Sequence, residues 1–223
     1  MPRKRTTGPR TTGPHTGAKR TPRDARDAII DAALALAGRQ GFTDTTLADI
    51  AEEAGVGLAE VQRQFGSKGA ILTAFVRRID AAVVAGTPAA LAAEPPRDRL
   101  FDVLMRRFDA LAPHKDAVRA LVSARLADPL ALAAALCRTA GAMGWMLEAA
   151  RIPTGGARGR LRVKALTLGY AAVLRTWLRD DSDDHAKTMA ALDRLLRRGE
   201  TMERCLAGLC ARRRKAGAEP AAA

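Results

Sequence analysis

The side chains with the most usable chemistry in this 223-residue sequence gather between Gly57 and Gln64. Glu60 brings a carboxylate, Gln62 and Gln64 bring amides, and Arg63 brings a guanidinium. No base stands beside a nucleophile here, so the set does not suit bond-making. It suits reading polar edges: Gln62 matches phosphate or an adenine edge, and Glu60 can accept from a cytosine amino group. Ala59, Glu60, Gln62, Arg63 and Gln64 fall on one side of a short helix that Gly57 and Leu58 open. The first amides of such a helix, with its dipole, favour phosphate.

That helix needs neighbours to hold it. Thr46 starts the helix before it, where "TLAD" is a capping-box pattern with Asp49 in the acidic position. Leu47, Ile50, Ala51 and Ala54 repeat at helical spacing, Gly55 stops the run, and Val56 plugs into the core. Leu58, Val61 and Phe65 form the inner face of the next helix, so residues 46–65 read as a helix-turn-helix. Two helices so short cannot bury both faces alone. An earlier helix, capped by Thr21 with Pro22 at its first position and ended by Gly41, supplies a lid. A later one, capped by Ser67 and carrying Ile71, Leu72, Phe75, Val76 and Ile79 inward, supplies a bridge.

Beyond Phe65 the pattern stays helical. Residues 86–96 hold three prolines and mark a joint. Helices are expected around residues 100–111, 118–122, 128–152, 161–178 and 183–210, with "PTGGARG" as a loop and Ser182 as a cap candidate. Aromatics are only 4% and no strict alternation appears, so the fold class is all-α. The expected organisation is a disordered basic arm (1–20), a helix-turn-helix domain (21–66), a helical ligand-binding and dimerisation domain (67–210) and a basic tail (211–223).

The net charge of +13 is concentrated at the ends, in Arg3 to Arg23 and in Arg212 to Lys215, and such arms attract polyanions. Cys137, Cys205 and Cys210 lack zinc-ligand spacing and fit a reduced cytoplasmic chain with no metal and no cofactor. No secretory signal is visible, and the apolar run Leu130 to Ile152 holds Arg138, Glu148 and Arg151, which reads as a buried helix and not as a membrane span. His15, His114 and His185 lie in a tail, after a proline and at a helix start, and "TGGARGR" follows no strand, so an enzyme is not expected.

Residues Ala28 to Val76 resemble the DNA-binding domain of TetR-family transcriptional regulators. The likeness rests on "GF" after the first helix, "TT" before the second, "IAEEAGV", Phe65 and the "SK" of Ser67 and Lys68. The resemblance implies a ligand-responsive homodimer, most often a repressor. It would place two recognition helices in major-groove half-sites about 34–36 Å apart on double-stranded DNA. By position, Thr46 and Lys68 would contact phosphate, and Gly57, Leu58, Ala59, Glu60, Gln62 and Arg63 would complete the DNA-facing set. Two positions depart from the family: Gly57 where Ser or Thr is frequent, and Gln62 where Tyr is usual.

The same resemblance implies a small apolar ligand between helices of the back half, with Met105, Phe108, Met143, Trp145, Met146 and Tyr170 as lining candidates. It also implies a four-helix dimer bundle, with Leu161, Ala165, Leu168 and Ala172 on one helix and Leu192, Leu195 and Leu196 on its partner; burial inside one subunit is the alternative. The segment Thr176 to Glu200 is similar to the closing part of ubiquinone-biosynthesis accessory proteins that share the TetR fold. A lipid- or quinone-binding protein without DNA binding is therefore the competing expectation.

Overall fold

A computed structural model describes residues 21–126 and 128–216. Among them every regular element is helical, as the composition requires. The chain runs through α1 (Pro22–Gln40), α2 (Leu47–Glu53), α3 (Leu58–Gln64) and α4 (Lys68–Ala85). A 3-10 turn (Ala89–Ala93) leads into α5 (Pro96–Leu111), and a second (Ala112–His114) into α6 (Lys115–Leu126). The long helices α7 (Pro129–Ala149), α8 (Gly156–Leu178) and α9 (Ala186–Ala216) complete the body. The basic arm expected at 1–20 lies outside the described residues.

The starts follow the cap chemistry. Thr21 Oγ1 accepts from Asp24 N, while Asp24 returns a bond to the Thr21 amide. Thr46 and Asp49 form the same reciprocal pair at 3.1 and 2.8 Å. Ser67 Oγ accepts from Ala70 N at the head of α4.

Three boundaries differ from expectation. Helix α8 begins inside the expected glycine loop, at Gly156. The glycine there has a packing reason: a Cβ on Gly159 would lie 1.9 Å from the Thr154 carbonyl oxygen. Ser182 does not cap α9. Its hydroxyl donates to Asp180, and Asp184 Oδ1 accepts from Ala186 N instead. Helix α9 also continues through 211–216, part of the expected tail.

One apolar core runs from the front helices into the body. Ile29, Ile30, Leu34 and Ala37 of α1 meet Ile50, Val61 and Phe65, and then Ile71 and Phe75 of α4. α1 also packs against α6, and α4 against α5 and α7, so the front unit is seated on the body by two helices.

Candidate nucleic-acid interface

The turn between α2 and α3 is built for compactness. Gly55 has φ 63°, the left-handed region that a side chain disfavours. The chain then reverses far enough for Val56 N to donate to Ala51 O at 3.0 Å. Ile50, Ala51, Ala54, Val61 and Phe65 are buried, which fixes α3 against α1 and α2.

With the inner face consumed, the outer face of α3 stays in water. Thr46, Gly57, Leu58, Ala59, Gln62 and Arg63 are all exposed. Leu58 is 52% exposed despite its apolar side chain. Thr46 keeps its hydroxyl proton free to donate, because its oxygen serves the cap as acceptor.

Glu60 behaves differently. It is half-buried, pairs with Arg63 one turn on, and accepts from Gln64 Nε2 at 3.0 Å. Its carboxylate therefore faces its own helix, not an incoming cytosine.

Lys68 needs a correction. Its position implied a phosphate contact, but its ammonium donates to the carbonyls of Phe42, Thr43 and Thr45 at 2.8, 3.3 and 2.6 Å. It also sits 4.9 Å from the centre of the Phe42 ring. An ammonium has three donors, and all are engaged. Lys68 pins the α1–α2 turn onto α4.

Sequence spacing missed Arg26. From α1 it donates to the Gln64 carbonyl at 3.1 Å and stacks over the Phe65 ring at 4.4 Å. It thereby closes the C-terminal end of α3. The partners are 38 residues apart, so no local pattern signals them.

In the body, the expected ligand-lining residues separate. Phe108, Met143, Met146 and Tyr170 are buried together, with Phe108 stacked on Tyr170 at 5.2 Å and tilted against Trp177 at 5.6 Å. Met105 is half-buried. Trp145 is 62% exposed and faces away from that core, so it does not line it. A hollow of about 170 Å³ lies elsewhere, among Val84, Thr87, Leu91, Arg99, Ala149 and Arg151.

The expected dimer residues also divide. Leu161, Ala165, Leu168 and Ala172 form an exposed stripe on α8. Leu192 and Leu196 are buried within the subunit and Leu195 is half-buried. Their side of α9 already packs on α5 and α8, which removes Leu192 and Leu196 from any second surface. No cluster of His, Cys, Asp or Glu among the described residues suits a metal ion.

A capped α2, a tight glycine turn and a water-facing α3 together form a helix-turn-helix. Residues 29–75 match the family described as bacterial regulatory proteins, tetR family. The chain is 35% identical over 86 residues to the HTH-type transcriptional regulator BetI of Brucella anthropi, covering 38% of this chain and 44% of that protein. The matched stretch spans less than half of that curated relative. A TetR transcriptional regulator from Nitrosomonas europaea superposes with a TM-score of 0.64 at 28% identity, over 77% of this chain and 95% of that one. Thermus thermophilus FadR, a TetR-family repressor solved with lauroyl-CoA, shares the fold at 21% identity and a TM-score of 0.53, over 77% and 91% of the two chains. Residues 29–75 thus match that family's model, and the chain shares the all-helical fold of solved TetR regulators. The accessory-protein alternative is not favoured.

Proposed function

We propose that this chain is a cytoplasmic, non-enzymatic transcriptional regulator. Acting as a homodimer, it sets α3 of each subunit into the major groove of a near-palindromic operator, most often to repress. The observation that carries the reading is the outer face of α3, where Leu58, Ala59, Gln62 and Arg63 are held in water while Val61 and Phe65 are locked below. Gln62 and Arg63 address base edges, Leu58 and Ala59 meet apolar base surface, and the Thr46 hydroxyl and Gly57 backbone address phosphate.

A small apolar effector in the body completes the reading. Met143 and Met146 are unbranched and repack readily, so Phe108, Tyr170 and these two methionines are where the core would part around it. Any such movement reaches the DNA through α4, which packs on α5 and α7 at one end and on the front core at the other.

Selection from random double-stranded DNA tests the function. The expected product is a two-fold symmetric site whose affinity falls steeply with salt, by about 0.9 log unit per log unit of salt for each phosphate neutralised. Recovery of unselected sequence, or binding that ignores salt, would refute it.

A further inference from the structure

The proline-rich joint between α4 and α5 does more than connect two helices. Gly86 ends α4, and the Thr87 hydroxyl donates back to Val83 O at 2.8 Å. Pro88 then leads into the 3-10 turn at Ala89–Ala93, and Pro96 opens α5. This folded-back segment stands beside the end of α7. Between them lies the hollow of about 170 Å³, with Val84, Leu91, Ala92 and Ala149 as apolar walls and Arg99 and Arg151 as its two cations.

Both cations keep donors in reserve. Arg99 Nε donates to the Ala150 carbonyl at 2.7 Å and one Nη to the Glu94 carbonyl at 2.5 Å. These bonds fix the guanidinium, while its second Nη bonds to no described residue. The Arg151 guanidinium bonds to none among the described residues. No acid is among the residues that line the hollow. Of the acids close by in the chain, Glu148 accepts from the Thr154 hydroxyl, Asp98 faces Arg97 at 3.9 Å, and Glu94 is exposed. The Arg151 backbone is an independent sign. Its φ of 55° suits glycine better than arginine. Strain of this kind gathers at ligand clamps.

We propose that this hollow binds a small organic carboxylate, held by Arg99 and Arg151. Two guanidiniums that border one hollow repel each other, and an anion between them turns both contacts favourable. The planar fork of a guanidinium matches a carboxylate through two parallel bonds. The volume sets the size of the guest. An apolar cavity of about 150 Å³ holds a single benzene ring, so the guest is one ring or a short branched chain. Its apolar part meets Val84, Leu91, Ala92 and Ala149. The site lies outside the aromatic core of Phe108 and Tyr170. It is therefore a second site, separate from the apolar-effector reading, and it stands without that reading.

Benzoate and isovalerate are the probes, with benzamide as an uncharged isostere and sulfate as a bare anion. Each is titrated into the isotope-labelled full chain while backbone amide resonances are followed. A carboxylate probe should shift the amides of Thr87, Leu91, Ala149 and Arg151 saturably, and benzamide should not. R151G should weaken carboxylate binding about tenfold or more with helix content kept, because a charge-assisted pair is lost while the backbone relaxes. R151K keeps the charge but loses the fork, and should fall between R151G and the parent. R198Q, on the exposed side of α9, should bind as the parent does. The absence of saturable shifts with both carboxylates overturns the proposal. So does an R151G chain that binds like the parent, or benzamide binding as tightly as benzoate. Sulfate that gives the same shifts at the same concentration overturns it too, since the site would then hold an adventitious ion only.

Discussion

Arg107 of α5 donates from Nε to Asp80 Oδ1 of α4 at 3.1 Å, with both side chains almost out of water. The same guanidinium donates to the Tyr170 hydroxyl of α8. Burial pushes the Asp80 carboxyl up, while Arg107 pulls it back. One polar knot therefore joins the helix that carries the helix-turn-helix unit to two helices of the body. A buried pair adds little over a well-packed apolar one, but removing one partner strands the other charge.

Asp80→Asn should therefore cost about 3–5 kcal/mol of unfolding free energy. The double change Asp80→Leu with Arg107→Met should cost clearly less than the single one. Urea unfolding of the two variants decides it. A loss below about 1 kcal/mol in Asp80→Asn would show that the pair is not effectively desolvated.

Lys68 separates a structural role from a DNA contact. Lys68→Met removes three charge-assisted bonds from the turn at 42–45. The expected loss is about 1.5–3 kcal/mol, with faster amide exchange in that turn. Unchanged stability, together with a salt slope for DNA binding reduced by about one contact, would return Lys68 to the phosphate set.

What the sequence made legible was mostly local. Thr21, Thr46 and Ser67 act within three residues of themselves, so a cap can be read without knowing the fold. The inner face of the helix-turn-helix was legible for the same reason: Ile50, Ala51, Val61 and Phe65 need only their helical spacing. Partners distant in sequence were not. Leu192 and Leu196 form an apolar stripe, and a stripe does not say whether it meets its own chain or a second one. Trp145 qualifies as a lining residue by type and lies on the same helix as Met143 and Met146, yet nothing in its spacing distinguishes an inner face from an outer apolar one. Lys68 carried the right chemistry for phosphate, and only the fold brings three carbonyls onto it.

His114 gives the fold a mild acid sensitivity. Its ring meets Phe75 edge-on at 5.2 Å, where the body touches α4. Burial first, and then the nearby Arg78 guanidinium, hold its pKa below the ordinary value, with Asp31 opposing. A folded pKa below the unfolded one stabilises above the unfolded value, near 6.5, and that share is lost as pH falls through the folded one. Stability should therefore decline from about pH 6.5 downward, and His114→Gln should flatten the decline when melting is followed from pH 7.5 to 5. Asp180 does not confuse this window. Burial works against its charge, but hydrogen bonds from Ser182 and Thr188 outweigh that and hold its pKa far below the carboxylate range. Its share is complete above the unfolded value, near 3.9, and falls away only in stronger acid. An unchanged decline in His114→Gln would assign the sensitivity to another group.

Arg151 ends α7 in a conformation its side chain disfavours. Its φ is 55°, while Ile152 N donates to Leu147 O and Arg151 N to Glu148 O, both at 2.8 Å. These are the paired bonds of a Schellman ending, in which Arg151 occupies the position usually held by glycine. The left-handed region costs a non-glycine residue about 1–2 kcal/mol, and glycine gives back part of that through the entropy of the unfolded chain. Arg151→Gly should thus stabilise by roughly 0.5–1 kcal/mol, raising Tm by about 2–4 °C per kcal/mol in a chain of this size. Arg151→Val should do the reverse, since a β-branched side chain tolerates this region least. Thermal melts of both variants against the parent test the geometry. A glycine variant less stable than the parent would mean that the Arg151 side chain, which borders the hollow with Arg99, contributes more by its contacts than its backbone loses.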